Sequence, residues 1–474
     1  LYSERVSSEL GWLLGEFAAV AHVAIACAVT VHVLLYKRNV GAAVSWIGIA
    51  WLSPFLGALL YAIMGINRVK RRAQRLRRQR LPPTLAEEAA LADPTDPLTP
   101  LDFAIGRLTG LPCEPGNRIE TLHSGDQAYP RMLAAIDAAE KSVGLMSYIF
   151  RADKAGEAFH QALIQAQRRG VEVRVLIDGV GGGYFRSGTY NHLRRAGVPV
   201  ARFLHSYFPL RMPFVNLRNH RKVMVIDGRL AFTGGINIGA ENIRADNPPH
   251  IVLDTHFQLE GPIVEQLTDA FADDWLFTTG EKLLTDNWFP PLEKAGTVTA
   301  RVVTSGPDED MEQIEYVALH AISCAHKSIR VVTPYFLPPD PLTLSLGLAA
   351  LRGVKVDIVL PEHSNHAVLD WARRIPLRPL IDAGCRVWLM PAPFDHSKLM
   401  VIDDSWTLIG SANWDTRSFR LNFELNVELH DPDLAGTVGV VTPAARRLTL
   451  AELDGDPLPT RLRNSAARLL QPYL

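Results

Sequence analysis

The chain has 474 residues, which is long enough for two or more domains that each bury a sizeable core. Its 49 Lys and Arg residues are balanced by 50 Asp and Glu residues, so net charge gives no reason to expect a polyanionic partner such as nucleic acid. The four cysteines, Cys27, Cys113, Cys324 and Cys385, lack the spacing of a metal site or a disulfide framework. We therefore expect a reducing compartment for most of the chain.

Two long uncharged runs lie near the start of the sequence. Residues 17–36 and residues 39–67 contain no Asp, Glu, Lys or Arg, and each reaches the roughly 20 residues that a membrane-spanning helix needs. Because so few residues separate them, they predict a transmembrane helical hairpin over residues 1–67. A cleaved signal peptide is the alternative interpretation of the first run, although a second apolar run follows it at once.

Eight Lys and Arg residues lie between positions 68 and 80, directly after the second apolar run. Positive charge beside a span favours the cytoplasmic side, so we expect both termini and the rest of the chain in the cytoplasm. The same run suits an anionic membrane surface, with a nucleic-acid-binding arm as the competing interpretation. Residues 68–116 are interpreted as this basic juxtamembrane segment and a proline-rich linker, with one short helix near Thr84–Leu91.

The rest of the chain contains an internal duplication. The residues Ala135–Phe150 are echoed by Ala321–Phe336, and each copy belongs to a stretch in which helices alternate with strands. That order favours a sheet covered by helices on both faces. The sequence therefore predicts an α/β fold of two similar halves, residues 117–290 and 291–474, related by a pseudo-two-fold axis.

Each half carries one copy of the motif His-x-Lys-x-x-x-x-Asp, and in both copies an Asn follows the His by 17 residues. A single His and Lys pair would be a weak signal, whereas two copies with identical inner spacing are a strong one. The motif residues are His220, Lys222, Asp227 and Asn237 in the first half, and His396, Lys398, Asp403 and Asn413 in the second half.

The local pattern predicts where these side chains point. In an extended segment alternate residues share a face, so the His and Lys of one copy face the same way, and the apolar run after them is typical of a buried strand. Asp227 and Asp403 stand where these strands end, and we expect them to brace turns. Two such half-sites facing each other would place two imidazoles and two ammonium groups around one phosphate.

The paired motifs resemble the phospholipase D superfamily, and their flanking residues resemble its branch of bacterial cardiolipin synthases with an N-terminal membrane hairpin. The resemblance covers nearly the whole chain, and both motifs are intact. It implies two phospholipase D-like halves, each a mixed sheet flanked by helices. The stretches that carry it include Phe232-Thr233-Gly234-Gly235-Ile236-Asn237-Ile238, Thr333-Pro334-Tyr335-Phe336 and Gly410-Ser411-Ala412-Asn413.

The reaction implied by the resemblance is phosphatidyl transfer through a phosphohistidine, with phosphatidylglycerol as donor and acceptor and with cardiolipin and glycerol as products. One neutral imidazole would attack phosphorus, and the other, protonated, would release the alcohol. His220 is the nucleophile by the assignment usual in the superfamily, although the two halves are too alike for the sequence to decide. The groups expected to hold the phosphate oxygens are Lys222, Lys398, Asn237 and Asn413, with Ser411 assisting on one side.

Each histidine also needs an acceptor for its other ring nitrogen. By resemblance Glu424 orients His396, and aligning the sequence around Glu424 with that around Asp254 makes Asp254 the partner of His220. No metal or other cofactor is expected, because Lys and Asn groups supply the neutralisation. The expected partners are phosphatidylglycerol and anionic membrane lipids rather than nucleic acid, and a homo-oligomer is compatible with the sequence.

The expected location is a bacterial inner membrane, with more than one span and a cytoplasmic catalytic domain. The same site could instead hydrolyse or transphosphatidylate other phospholipids, cut nucleic acid, or be an inactive membrane scaffold. A nuclease would not need two spans, and two intact sets of His, Lys and Asn argue against a scaffold. The aromatic and basic stretch Tyr207–Phe214 could touch the bilayer or form a buried loop.

Overall fold

A computed structural model of the chain describes residues 2–37, 40–53, 55–65, 98–206, 217–306 and 312–471. The basic run at 68–80, the short helix expected near Thr84–Leu91 and the stretch Tyr207–Phe214 lie outside the described residues. The described residues form an N-terminal apolar unit and a larger α/β body.

The N-terminal unit is built from the two apolar runs. Within the described residues, Trp12–Tyr36 is the one helical stretch that is long and apolar enough to cross a membrane, a criterion of length and composition alone. The second run is broken, and its longest helix has 13 residues. Val33 and Tyr61 are buried between the two runs, which therefore pack as a hairpin. The elements are the helices Tyr2–Tyr36, Val40–Leu52 and Leu56–Leu60 and the π-helix Tyr61–Gly65.

The first half of the body follows the predicted alternation of helices and strands. Its strands are β1 (Glu114–His123), β2 (Ser142–Ser147), β3 (Glu172–Asp178), β4 (Val200–Phe203), β5 (Arg218–Asn219), β6 (Val223–Ile226), β7 (Leu230–Gly234), β8 (Val252–Leu253) and β9 (Thr255–Glu260). Its helices are Ser124–Ala138, Lys154–Arg168, Gly188–Arg195 and Ile263–Thr279, with 3-10 turns at Ala240–Asn242 and Arg244–Asp246.

The second half repeats this order. Its strands are β10 (Val298–Ser305), β11 (Ser328–Val332), β12 (Phe336–Leu337), β13 (Lys355–Pro361), β14 (Arg386–Met390), β15 (Phe394–Asp395), β16 (Leu399–Ile402), β17 (Trp406–Gly410), β18 (Trp414–Asp415), β19 (Asn422–His430) and β20 (Arg446–Leu448). Its helices are Gln313–Cys324, Asp340–Leu351, Ala367–Asp382, Thr416–Arg420, Pro432–Thr437, Leu450–Asp454 and Leu458–Arg468.

The strand order is the same in both halves, β4-β3-β2-β6-β7-β9-β1 in the first and β14-β13-β11-β16-β17-β19-β10 in the second. Each half is a mixed sheet, because β2, β3 and β4 pair in parallel whereas β6, β7 and β9 pair antiparallel. β1 and β10 pair antiparallel, so the two predicted sheets join into one. This equivalence of the halves confirms the predicted duplication.

Each half has its own apolar core. The four residues of β6 and the four of β16 are all buried, as expected for central strands covered on both faces. A helix at Thr99–Thr109, in the segment expected to be a linker, packs Leu101 and Ile105 fully buried into the core of the second half. This part of the linker segment is therefore packed against the body.

Candidate active site

Two short strand pairings connect the halves beside the motifs. β5 pairs in parallel with the start of β19, and β15 pairs in parallel with β8. Directly after these pairings, the backbone N–H of His220 donates to the carbonyl of Phe423 at 2.9 Å, and that of His396 donates to the carbonyl of Leu253 at 2.7 Å. Each histidine is therefore attached to the half of the chain that does not contain it.

Both motif histidines line one cavity of about 690 Å³ between the halves. Asn237 and Asn413, the two asparagines of the repeated motif, line the same cavity. The structure thus brings the two half-sites together, as two imidazoles acting on one phosphate would require.

The carboxylate partners of the histidines are the reverse of the predicted ones. Nδ1 of His220 lies 3.1 Å from Oε2 of Glu424, and Nδ1 of His396 lies 2.8 Å from Oδ2 of Asp254. The predicted pairing within each half was wrong, because the β5–β19 and β8–β15 contacts carry each histidine across to the other half. In both pairs the carboxylate binds Nδ1, which leaves Nε2 for reaction.

The sequence alignment behind that prediction nevertheless matches equivalent positions. The backbone N–H of Gly235 donates to the carbonyl of Thr255, and the N–H of Ser411 donates in the same way to the carbonyl of Leu425. Asp254 and Glu424 precede these two acceptors by one residue. The carboxylates are therefore structural counterparts that serve the histidine of the opposite half.

The groups around His220 keep its partner Glu424 ionised. Glu424 is fully buried, and burial alone would raise its pKa, but the adjacent His220, Lys222 and the Ser411 hydroxyl hold the pKa of this carboxyl below its usual value. Burial lowers the pKa of His220, while the Glu424 charge opposes that shift. The net effect still lowers the pKa of His220, but the ionised Glu424 makes the imidazolium form easier to reach at His220 than at His396.

The surroundings of His396 favour a neutral ring. Burial lowers the pKa of His396 well below its usual value, and the nearby cations of Lys398 and Lys222 lower it further. Nζ of Lys398 lies 2.8 Å from Nδ1 of His396. Burial also raises the pKa of Asp254 to about 6, so this carboxyl is mostly ionised at neutral pH and can accept the Nδ1 proton of a neutral His396.

The two motif lysines are buried beside their histidines. Nζ of Lys222 donates to the carbonyl of His220 at 2.6 Å, and Nζ of Lys398 donates to the carbonyl of His396. Burial lowers the pKa of Lys222 to about 7 and that of Lys398 to about 8. Loss of a proton from Lys222 near neutral pH would therefore remove positive charge from the site.

The motif aspartates lie at the far ends of β6 and β16 and brace turns. The carboxylate of Asp227 accepts the backbone N–H groups of residues 140, 141 and 142 at 2.7–3.0 Å. Asp403 accepts those of residues 326, 327 and 328 at 2.7–2.9 Å. Both aspartates have positive φ angles, 52° and 51°. Their contacts tie a strand end to the start of β2 or β11.

The predicted phosphate-binding residues Asn237, Asn413 and Ser411 have different hydrogen-bond partners. Oδ1 of Asn237 accepts the N–H of Ile149 at 3.1 Å, so its Nδ2 group is the remaining donor. Oδ1 of Asn413 is buried without a hydrogen-bond partner among the described residues, so this acceptor is available to a donor such as a ligand hydroxyl. The Ser411 hydroxyl donates to Oε2 of Glu424 at 2.5 Å, and the Ser411 carbonyl lies 3.1 Å from Nδ1 of His220. Ser411 thus braces the His220–Glu424 pair.

The cavity residues that were not predicted as site residues include two tyrosines and two arginines. The rings of Tyr148 and Tyr335 pack edge-on against His220 and His396, with centroids 4.9 Å and 5.9 Å apart. The two tyrosines occupy equivalent positions in the repeated stretches, a signal that could have identified them. The other two, Arg218 and Arg417, have Phe394 and Glu241 at the equivalent positions of the opposite half, so the repeat could not reveal them.

Two clusters outside the cavity have donor atoms close enough to ligate a metal ion. They are the only such groups among the residues that the structure describes. In the first, the Arg301 guanidinium already forms ion pairs with both carboxylates. In the second, the central imidazole is hydrogen-bonded at both nitrogens. The clusters are Asp102, Cys113, Glu428 and His430, and Glu157, His160 and His192.

Comparison with known proteins agrees with this arrangement. A protein-family model described as cardiolipin synthase, PLD-like domain, matches residues 132–275 and 318–440. The chain is 32% identical to a cardiolipin synthase of Geobacillus kaustophilus, over 98% of this chain and 95% of the relative. It is also 32% identical to the major cardiolipin synthase of Bacillus subtilis, over 92% of this chain and 95% of the relative.

A solved structure shares the fold. The phosphatidylserine synthase of Haemophilus influenzae superposes with a TM-score of 0.56 at 16% identity, covering 75% of this chain and 95% of that chain. Three findings agree on the family: the duplicated strand order, the paired motifs in one cavity and the nearly full-length similarity to the relatives. The chain belongs to the cardiolipin synthase family of proteins with phospholipase D-like domains.

Proposed function

We propose that the chain transfers a phosphatidyl group from one phosphatidylglycerol molecule to another, giving cardiolipin and glycerol. The observation that carries this proposal is the pair of histidines in one cavity, each held by a carboxylate of the opposite half. The names of the relatives support a lipid product.

In the first step, Nε2 of one histidine attacks the phosphorus of the donor and forms a P–N bond. The P–O bond to the glycerol headgroup breaks, and the departing oxygen takes a proton from Nε2 of the other histidine. In the second step, the primary hydroxyl of the acceptor gives its proton to that second histidine and attacks phosphorus. The P–N bond breaks, and the first histidine is restored.

The resemblance suggested His220 as the nucleophile, but the surroundings of the two rings favour His396. A nucleophile must be neutral, and the pKa of His396 is held well below its usual value by burial and by neighbouring cations. A general acid must carry a proton, and ionised Glu424 supports that form of His220. We therefore assign the phosphohistidine to His396 and the acid–base role to His220.

The remaining polar groups would neutralise the phosphate. Lys222 and Lys398 supply positive charge, and the amides of Asn237 and Asn413 face the cavity, where the non-bridging oxygens would lie. Asp227 and Asp403 would contribute by tying the end of each motif strand to the start of β2 or β11. Preorganised donors of this kind act where negative charge develops in the transition state.

The N-terminal unit supports a lipid substrate. We propose that the apolar hairpin of residues 1–67 anchors the protein in a bacterial inner membrane, and that the basic segment 68–116 keeps the body on the cytoplasmic side. The body would then consist of the halves 117–290 and 291–474, with the helix Thr99–Thr109 packed against the second half. A membrane anchor keeps the site close to its two lipid substrates.

A product assay tests the function. Purified protein given vesicles of phosphatidylglycerol alone should form a four-chain lipid and release one glycerol per molecule formed. His220→Ala and His396→Ala should each lower this activity by at least about 10³-fold, because neither step proceeds without its histidine. The matched control is His363→Ala, which changes an exposed histidine outside the cavity and should leave activity unchanged. Release of phosphatidic acid without cardiolipin would identify a hydrolase instead.

A further inference from the structure

One end of the cavity breaks the symmetry of the two halves. Arg218 precedes His220 by two residues, and the residue in the same place before His396 is Phe394. Arg417 follows Asn413 by four residues, and the residue in the same place after Asn237 is Glu241. All four side chains line the cavity, so the difference lies inside the site.

At the end of the cavity with Phe394, the two equivalent positions supply no positive charge, because Phe394 is neutral and Glu241 is acidic. Glu241 there pairs with Arg151 at 2.7 Å, and Phe394 packs near the ring of His396. At the other end two guanidinium groups lie together beside Tyr148, which packs on His220. The cavity is therefore cationic on the His220 side and aromatic on the His396 side.

The two arginines lie close enough for their charges to interact. Burial lowers the pKa of Arg417, and the neighbouring Arg218 charge lowers it further. Two carboxylates are nearby. Both oxygens of Asp178 already accept backbone N–H groups, and Oδ1 of Asp415 accepts that of Ser418. Burial also raises the pKa of Asp415 to about 6, so this carboxyl is mostly ionised at neutral pH and offsets part of the arginine charge.

Guanidinium groups bind phosphate with paired N–H donors, and two of them line the cavity beside the acid–base histidine. We propose that Arg218 and Arg417 form a second anion subsite that binds the phosphate of the acceptor lipid. The inference rests on the proposed function, because only a lipid acceptor brings a second phosphodiester into the cavity. Water and free glycerol do not.

The placement fits the acid–base role of His220. The acceptor hydroxyl must reach His220, and its own phosphate lies at the other end of a three-carbon glycerol. Arg218 precedes His220 by two residues of extended chain, a separation of roughly 6–7 Å along the backbone. An acceptor phosphate on the two arginines would therefore present its free hydroxyl to His220.

Two reactions of the same enzyme test the subsite. Cardiolipin formation uses a phosphate-bearing acceptor, whereas exchange of labelled glycerol into phosphatidylglycerol uses an acceptor without one. In Arg218→Gln/Arg417→Gln, cardiolipin formation should fall about 10- to 100-fold, since charge-assisted bonds to one phosphate are lost. Glycerol exchange should stay within about 3-fold of wild type, because the variant keeps both histidines and the groups that bind the reacting phosphate.

Further variants separate this role from a structural one. Arg420→Gln removes an arginine from the same short helix as Arg417, where it pairs with Glu315, and should leave both rates unchanged. Arg218→Lys/Arg417→Lys keeps the charge and should recover part of the cardiolipin rate. An equal loss of both reactions in the Gln variant, or a loss of neither, would overturn the subsite. A wild type that exchanges glycerol but forms no cardiolipin would overturn the proposed function as well.

Discussion

His396 of the second half is bound through Nδ1 to Asp254 of the first half at 2.8 Å, and His220 and Glu424 make the opposite connection at 3.1 Å. A histidine and its orienting carboxylate therefore never come from the same half. The site is complete only when the two halves are packed together, which gives the duplicated fold a direct chemical role.

A lipid with an activated headgroup should separate the roles of the two histidines. Phosphatidyl-p-nitrophenol releases a stable anion that needs no proton, so His220→Ala should still give a burst of about one p-nitrophenol per site. His396→Ala should give none, because no P–N bond can form. The burst is measured by absorbance after rapid mixing.

The carboxylate variants extend this test. Glu424→Gln should behave like His220→Ala, and Asp254→Asn should behave like His396→Ala, because each carboxylate serves the histidine of the other half. A burst in His396→Ala but not in His220→Ala would restore the assignment that the family resemblance suggested.

Lys222 should set an alkaline limit on activity. Its pKa is lowered to about 7 by burial, so it is charged below pH 7 and loses its proton as the pH rises. We expect kcat/KM to fall more steeply above about pH 7 than deprotonation of His220 alone would cause, because the free enzyme then lacks one positive charge for the phosphate. Bound substrate favours the charged lysine and should shift the limit in kcat to higher pH. In Lys222→Met the overall rate should drop about 10²-fold, and kcat/KM should fall with the single, shallower slope that His220 alone causes. An unchanged steep fall above about pH 7 would assign that ionisation to another group.

The sequence predicted the order of elements and the turns at Asp227 and Asp403, because these depend on local periodicity and on a repeat present in both halves. The exchange of Asp254 and Glu424 depends on two pairings of two residues each, which are too short to leave a periodic pattern. Arg218 and Arg417 matter through their position in the folded cavity. Only the structure places these two residues together.

Asp227 should matter for stability more than for chemistry. Asp227→Ala leaves three backbone N–H groups without their acceptor and puts alanine at a φ of 52°. We expect a loss of about 1–3 kcal/mol in the free energy of unfolding, with kcat of the folded protein within a few-fold of wild type. Asp227→Asn keeps an acceptor and should lose less. Thermal unfolding and activity at low temperature measure the two effects, and a stable but inactive Asp227→Ala would contradict a bracing role.

Gly235 should control the position of Asp254 without touching the substrate. A Cβ added at Gly235 would lie 2.6 Å from Cγ of Asp254, so alanine there must push the carboxylate away from His396. The equivalent position in the other half holds Ser411, whose hydroxyl bonds the longer side chain of Glu424. A displacement on the order of 1 Å can cost about 10²-fold in rate, and we expect a loss of that size in Gly235→Ala.

The equivalent residues of the second half, Ser411 and Glu424, suggest a control variant and a rescue variant for Gly235→Ala. Ser411→Ala keeps the Cβ and removes one hydrogen bond to Glu424, so it should cost only a few-fold in rate. Gly235→Ser/Asp254→Glu reproduces the pair of the second half at the first, and it should recover much of the activity that Gly235→Ser alone loses. The measurement is the rate of cardiolipin formation, with folding checked by thermal unfolding. Wild-type activity in Gly235→Ala, or a double variant no better than Gly235→Ser, would show that the fit between Gly235 and Asp254 does not position His396.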